Sequence, residues 1–282
     1  MIICVVGPTG VGKSDLSIRL AKKFNAFIIN ADATQIYKEL NIGSAKITKK
    51  QMQEIKHHMI NIKSPDEEYS VMDYQLEARK ILNNNKDKNI IVCGGTGLYI
   101  KALFYEYEFP KISTFEIFQN LTNKELYDLA LKKDPNMDIN LNNRVRLINF
   151  LNRPYQPIKA ENLLYDVIFI GLKMDREQLY DKCNQRVDKM FKEGLLEEVK
   201  ALYKKYPTSK ILRRAIGYKE LIMYLEKEIS LEEAKELIKK HTRNYVKRQY
   251  TWFNNQMNIK WFDVSKNLYQ DVIEYVSSLN SK

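Results

Sequence analysis

Gly7-Pro8-Thr9-Gly10-Val11-Gly12-Lys13-Ser14 has the spacing G-x-x-x-x-G-K-[ST]. Glycines at those positions let the backbone curl until several N–H groups converge on phosphate oxygens, and a helix opening at Lys13 adds the partial positive charge of its N-terminus. Lys13 can reach a distal phosphate, and Ser14 can offer its hydroxyl to Mg2+. The stretch therefore reads as a site for a di- or triphosphate, without saying which. A hydrolase or kinase built on such a loop usually has a second strand ending in an acid that helps hold the metal. Here the run Asn89–Cys93 ends instead in Gly94-Gly95-Thr96-Gly97, and the acid nearest a strand end is Asp32, just after Ala26–Asn30. One carboxylate and one hydroxyl thus face the phosphate loop. By position alone, Asp32 could equally be a turn residue and Thr96 a helix cap.

A second chemically loaded stretch is His241–Phe253, where cations alternate with aromatics. At helical spacing Arg243, Lys247 and Tyr250 share one face, and Leu237, Ile238, Tyr245 and Trp252 form another that could pack on a core. Cations track phosphates while rings and guanidinium planes stack on unpaired bases, which suits a single-stranded RNA loop. A solvated helix with an apolar underside would show the same pattern. His57 and His58 adjoin, but with three histidines in the chain and no clustered cysteines they are expected to pack or cap near the phosphate pocket rather than ligate a metal.

These residues need a scaffold. Ile2–Val6, Ala26–Asn30, Asn89–Cys93 and Asp166–Leu172 are short apolar runs rich in β-branched residues, the pattern of buried parallel strands. Lys260–Asp263 predicts a further small strand, and Met59–Ile62 a marginal one. Helical spacing covers Lys13–Phe24, Gln51–His57, Val71–Asn83, Leu98–Phe104, Arg176–Lys192, Leu195–Lys205, Ala215–Glu226, Leu231–Asn255 and the region of Leu268–Leu279. Alternation of strands and helices predicts an α/β fold, a parallel sheet flanked by helices with the phosphate loop after its first strand. Between Lys111 and Tyr165 two or three helical patterns appear without a convincing strand, which predicts an all-helical insertion. The domain expectation is a catalytic core of 1–110 plus 166–282 and a helical subdomain of 111–165.

Lys and Arg total 46 against 35 Asp and Glu, a net charge of +11 that favours polyanionic partners. No apolar run approaches the roughly 18 residues of a membrane span. Cys4, Cys93 and Cys183 form no CxxC, so neither a disulfide scaffold nor a Cys-rich zinc site is expected. The first strand runs straight into the glycine loop with no room for a signal peptide, so a cytoplasmic location is expected.

The five stretches GPTGVGKS, NADATQIYKELNIGSAK (Asn30–Lys46), GGTGLYIKAL (Gly94–Leu103), RAIGYKE (Arg214–Glu220) and TRNYVKRQYTWF (Thr242–Phe253), in that order, resemble the bacterial tRNA dimethylallyltransferases. Lys56–Gln75 and Met190–Leu202 resemble the family too. The resemblance implies a P-loop NTPase-like core with a helical insertion. It implies transfer of a dimethylallyl group from dimethylallyl diphosphate to the exocyclic amine of the adenosine 3′ to the anticodon, with Mg2+ required. Asp32 would be the general base, and Thr96, Lys13 and Arg214 would complete the catalytic set. Gly7 to Ser14 would hold the isoprenoid's diphosphate, with Ser14 toward Mg2+. Contacts to the tRNA anticodon stem-loop would come from Asp32, Ala33, Thr34, Gln35, Thr96, Arg146, Arg214, Gly217, Tyr218, Lys219, Arg243, Lys247, Arg248, Gln249 and Trp252. A monomer would suffice. The phosphate loop and α/β core alone would also permit a small-molecule or nucleotide kinase.

The chain departs from the family pattern in its insertion. It runs short between Pro110 and Leu121, and where the family motif reads N-D-x-x-R-x-x-R-A-L-E this chain has Asn142 to Asn152, keeping Arg146 but placing Asn149 and Asn152 where an Arg and a Glu are usual.

Overall fold

The computed structural model describes residues 1–107, 109, 118, 120–152 and 162–280. Six strands, β1 (Ile2–Val6), β2 (Phe27–Asn30), β3 (His57–His58), β4 (Ile90–Cys93), β5 (Val167–Lys173) and β6 (Lys260–Asp263), form one sheet in the order β3-β2-β4-β1-β5-β6. Every neighbouring pair is parallel. Parallel strands need long crossovers, and helices supply them. These are α1 (Lys13–Lys23), α2 (Lys49–Met52), α3 (Val71–Asn83), α4 (Gly97–Phe104), α5 (Asn123–Lys133), α6 (Arg144–Leu151), α7 (Arg176–Lys192), α8 (Leu195–Lys205), α9 (Tyr218–Leu225), α10 (Leu231–Gln256) and α11 (Leu268–Asn280). Among the described residues no helix is long and apolar enough to cross a membrane.

The chain divides into two compact units, Met1–Phe104 with Tyr165–Lys282, and Tyr105–Leu164. The sequence reading drew its boundary at 110/111, which lies outside the described residues. In the larger unit, Ile3 and Val5 of β1, Ile28, Ile91, Ile170 and Leu172 pack against Leu16 and Leu20 of α1, Leu179 and Cys183 of α7, Val246 of α10, and Val272 and Val276 of α11. Cys4, Cys93 and Cys183 are all buried as free thiols. The smaller unit packs α5 on α6 through Leu126, Ala130, Leu147 and Ile148. Thr122 and Glu125 form a capping box that starts α5, and Arg144 fastens the preceding chain by donating to Leu121 O (2.6 Å) and Phe118 O (3.1 Å).

Two expectations are corrected. The helix placed at Gln51–His57 is the single turn α2, because Gln53 and Glu54 adopt left-handed φ of 47° and 67°, which ends a helix. The strand placed at Met59–Ile62 lies earlier, at His57–His58, pairing Ile28 with His57 and Ile29 with His58. Left-handed Met59 (φ 59°) and Asn61 (φ 56°) stop it there.

Candidate active site

β1 and β4 are neighbours, and the chain leaves their carboxyl ends toward opposite sides of the sheet, toward β2 and β5 respectively. Open α/β sheets bind ligands at such a point. The loop after β1 curls through left-handed Gly10 (φ 82°) and Gly12 (φ 105°). At Gly7 a Cβ would sit 2.7 Å from Leu172 O of β5, so the strand alongside dictates glycine. Lys13 Nζ donates to Pro8 O at 2.7 Å, folding the side chain back over its own loop. Burial lowers the Lys13 pKa to about 8, with Cys93 and Asp32 pulling it back up.

β2 delivers the carboxylate. Asn30 clamps the turn that follows, its Nδ2 donating to Met59 O (2.8 Å) and Asp32 O (3.1 Å) while its Oδ1 accepts from Asp32 N (3.2 Å). Asp32 Oδ1 then accepts from Thr34 N at 2.9 Å and Gln35 N at 3.4 Å, which leaves Oδ2 without a hydrogen-bond partner among the described residues. The turn role and the site role thus coexist: one oxygen fixes the side chain and the other is available. β4 delivers the hydroxyl. Thr96 Oγ1 accepts from Ala33 N at 3.0 Å, tying the β4 loop to the β2 loop and leaving its own O–H to donate. The approach is close enough that a Cβ at Gly94 would lie 2.1 Å from Ala31 O.

Two adjoining cavities meet here. One, of about 510 Å³, is lined by Thr9, Gly10, Gly12, Lys13 and Ser14 of the phosphate loop together with Asn30, Asp32, Cys93, Lys182 and Arg186. The other, of about 350 Å³, has an apolar side of Val187, Met190, Ile211 and Ile238 and cations from Arg214, Lys219 and Arg248. Thr9, Asp32, Ser44, Ala45 and Arg186 line both. Asp32 therefore stands between the cavity over the glycine loop and a cationic, partly apolar one.

α10 closes the site. Gln249 is buried, its Oε1 accepting from Thr9 N (2.9 Å) and its Nε2 donating to Gly95 O (2.9 Å). The Tyr245 phenol, one turn earlier, lies against Thr96 and Gln249, and burial pushes its pKa up. Trp252 fits over Gly97, where a Cβ would come within 2.1 Å of the indole ring.

The family model for IPP transferase matches residues 35–256. The chain belongs to the IPP transferase family. It is 40% identical to the tRNA dimethylallyltransferase of Macrococcus caseolyticus over 98% of this chain and 95% of that one, and 42% identical to that of Bacillus licheniformis over 94% and 91%. Among solved structures, the tRNA isopentenylpyrophosphate transferase of Staphylococcus epidermidis superposes with a TM-score of 0.76 at 36% identity, covering 99% of this chain and 98% of that one. A eukaryotic dimethylallyltransferase described as acting on tRNA gives a TM-score of 0.86 at 28% identity, with 99% and 79% covered. These likenesses favour the transferase reading over the kinase one.

In this IPP transferase the expected site residues fall into three groups. Gly7 to Ser14, Asp32, Thr34, Gln35, Thr96, Arg214, Gly217, Lys219 and Arg248 come together at the carboxyl edge of the sheet. Lys247 is exposed on α10, and Arg146 is exposed in the smaller unit. Gln249 and Tyr218 are not exposed. Gln249 bridges two loops, and Tyr218 donates its hydroxyl to Glu198 at 2.6 Å. That Glu198 also accepts from the backbone N–H of Ile42 (2.8 Å) and Gly43 (3.1 Å), steadying the wall that carries Ser44 and Ala45. The face expected to join Arg243, Lys247 and Tyr250 is divided. Arg243 donates to Asn184 at 2.6 Å, and Tyr250 turns to the core, its hydroxyl accepting from Met174 N at 3.2 Å.

Arg186 was not singled out from the sequence. It is drawn into the site, donates to Thr9 Oγ1 at 3.1 Å, and has its pKa lowered by burial. The signal was available: Leu179, Cys183 and Val187 set the buried stripe of α7, and Arg186 lies on the same side. His57 Nδ1 donates to Ile55 O (2.8 Å) and His58 packs edge-on to Phe27 at 5.0 Å; burial lowers the pKa of both.

Proposed function

We propose that this IPP transferase moves a dimethylallyl group from dimethylallyl diphosphate to the exocyclic amine of the adenosine 3′ to the tRNA anticodon, position 37. The observation that carries this reading is the position of Asp32 on the shared wall of a phosphate cavity and a cationic one. The diphosphate lies in the phosphate loop, and the extruded base enters from the side of Arg214, Lys219 and Arg248, as base-modifying enzymes require. The amine nitrogen bonds to the allylic C1 as the C1–O bond breaks. The electron pair leaves with the diphosphate, and the amine proton passes to Asp32 Oδ2. Loop N–H groups, Lys13 and Arg186 stabilise the charge that builds on the leaving group. Thr96, held by Ala33 N, is placed to hydrogen-bond the reacting nucleotide. No water is activated, which fits the absence of an acid at the end of β4.

The donor set suits Mg2+. Ser14 and Asp32 line the phosphate cavity, and among the described residues no cluster of three His, Cys, Asp or Glu offers a site for a softer or fully caged ion. Mg2+ takes a few protein oxygens and completes its shell with phosphates and water. When bound it would neutralise charge on the leaving diphosphate. Lys247, Arg243, Trp252, Ala33, Thr34, Gln35 and, on the insertion, Arg146 are the proposed neighbours of the anticodon arm. We take the working unit to be a cytoplasmic monomer.

Incubation with labelled dimethylallyl diphosphate, Mg2+ and unmodified tRNA bearing an A-rich anticodon loop should move label into RNA. No transfer, with ATP hydrolysed or a small acceptor phosphorylated instead, would overturn the reading. Asp32→Asn should retain tRNA binding while cutting the single-turnover rate by about 10²–10⁴-fold; an unchanged rate removes Asp32 from its role.

A further inference from the structure

We propose that Gln249 is a positioning residue for the transfer, a strut that holds the phosphate loop and the Thr96 loop at one separation. The proposal rests on the transferase reading above and replaces the RNA contact expected of this residue. Gln249 is 4% exposed, and each end of its carboxamide meets a different loop: Thr9 N donates to Oε1 at 2.9 Å, and Nε2 donates to Gly95 O at 2.9 Å. A backbone N–H can only donate and a carbonyl can only accept, so the chemistry of the partners fixes which way the amide points.

The two loops follow neighbouring strands. β1 and β4 are in register up to Val5 and Cys93, and Gly94 N still reaches Val5 O at 3.2 Å. Beyond that point the backbones separate around the ligand space, one toward Lys13 and the other toward Thr96, and Gln249 carries the connection across. The leaving diphosphate is bound by the first loop, and the attacking nucleotide meets the second. Their separation is the reaction coordinate's fixed frame, and misplacing reacting groups by about 1 Å can cost on the order of 10²-fold in rate.

Residue type and neighbour are matched. Glutamate could accept from Thr9 N but not donate to Gly95 O, and would bring a negative charge beside the diphosphate. Methionine fills the same length and makes neither bond. At Gly95 a Cβ would lie 2.3 Å from Gln249 Nε2, so any side chain there displaces the amide. The strut also stands on the helix whose two preceding residues, Lys247 and Arg248, are exposed. The element that presents cations to RNA therefore also sets the donor loop.

The test uses Gln249→Met, Gln249→Glu and Gly95→Ala in the full chain. It compares kcat, the KM for dimethylallyl diphosphate, tRNA affinity without donor, and Tm. Gln249→Met should lower kcat by about 10–100-fold with tRNA affinity unchanged. Gln249→Glu should in addition raise the donor KM. Gly95→Ala should reproduce Gln249→Met, and the double variant should be no worse than either, because both disable the same strut. Weakened tRNA binding with kcat and donor KM intact would make Gln249 an RNA contact and overturn the proposal, as would wild-type values throughout. If Gln249→Met fails to fold, Gly95→Ala carries the test. Should the wild-type protein not prenylate tRNA, the transferase reading falls separately; calorimetry of inorganic diphosphate then tests the strut, which requires weaker binding to Gln249→Glu.

Discussion

Lys13 is charged in water but half-buried and largely desolvated here, where Pro8 O accepts from its ammonium and Cys93, Asp32 and Cys183 favour the charged form while Arg186 opposes it. Burial wins, and the group titrates at about 8 instead of 10.5. A bound diphosphate supplies the missing counter-charge and restores the higher value. The sign follows. Below 8 Lys13 is already protonated and binding takes up no proton through it; between 8 and 10.5 the free side chain is neutral, so each diphosphate bound draws in close to one proton. Donor affinity should therefore decline as pH rises through 8. Calorimetry in two buffers of different ionisation heat, below and above that value, reads the uptake directly; none above 8 would mean that the phosphate does not reach Lys13. Lys46 is also lowered to about 8 by burial, but it is held by Tyr37 O and Asn61 Oδ1 and lines neither cavity. At this scale the consecutive motif was readable because its function depends on backbone curvature and residue type alone. The bridging role of Gln249 was not, and Arg186 could be placed only on the buried side of its helix, without its partner. A polar side chain on a helix looks solvated until the partners that satisfy it, Gly95 O and Thr9, arrive from far along the chain.

α10 shows how far helical spacing carries. Its start at Leu231 was legible from helical spacing, and the structure caps it there with a Ser230–Glu233 capping box. Its buried face, Ala234, Ile238, Val246, Gln249 and Phe253, keeps the period of a helix yet includes a glutamine and excludes the tyrosine at 245 from full burial. Of the residues hydrophobicity assigned to that face, Ile238 is buried, while Leu237, Tyr245 and Trp252 are half-buried. β3 was misplaced for a related reason: two residues have no periodicity, and His57–His58 becomes a strand only because β2 pairs with it. The exposed side of α10 makes its own prediction. Lys247→Ala should weaken tRNA binding uniformly across sequences and lessen the slope of log affinity against log salt by about 0.7–0.9, one counterion fewer being released. An unaltered slope in a salt titration of tRNA binding would remove this helix from the RNA backbone.

For the molecule as a whole, the phosphate loop, the Asp32 turn and the Thr96 loop are joined by hydrogen bonds from Ala33, Gln249 and Arg186. A ligand on the loop should therefore stabilise the larger unit as a whole. Inorganic diphosphate at about 100 times its Kd should add about 2.7 kcal/mol and raise Tm by several degrees. Chelating divalent cations should shrink that shift; a Tm gain indifferent to chelator would take Mg2+ out of the diphosphate site. The fold class was legible because each strand is a continuous apolar run and parallel order follows from the helices between them. The strand order was not, since it depends on which runs meet in three dimensions.

The three thiols give the molecule a chemical temperament. Cys4 and Cys93 sit on adjacent central strands and Cys183 backs the phosphate loop at Gly10, all buried, and burial raises the pKa of each. A buried thiol held in its protonated form is a poor nucleophile. The native protein should therefore react slowly with alkylating agents and mild oxidants, although Cys93 and Cys183 line the two cavities. Damage at Cys4, which lines neither cavity, would record that the chain had opened, and a bulkier sulfur there on β1 would keep the sheet from closing again.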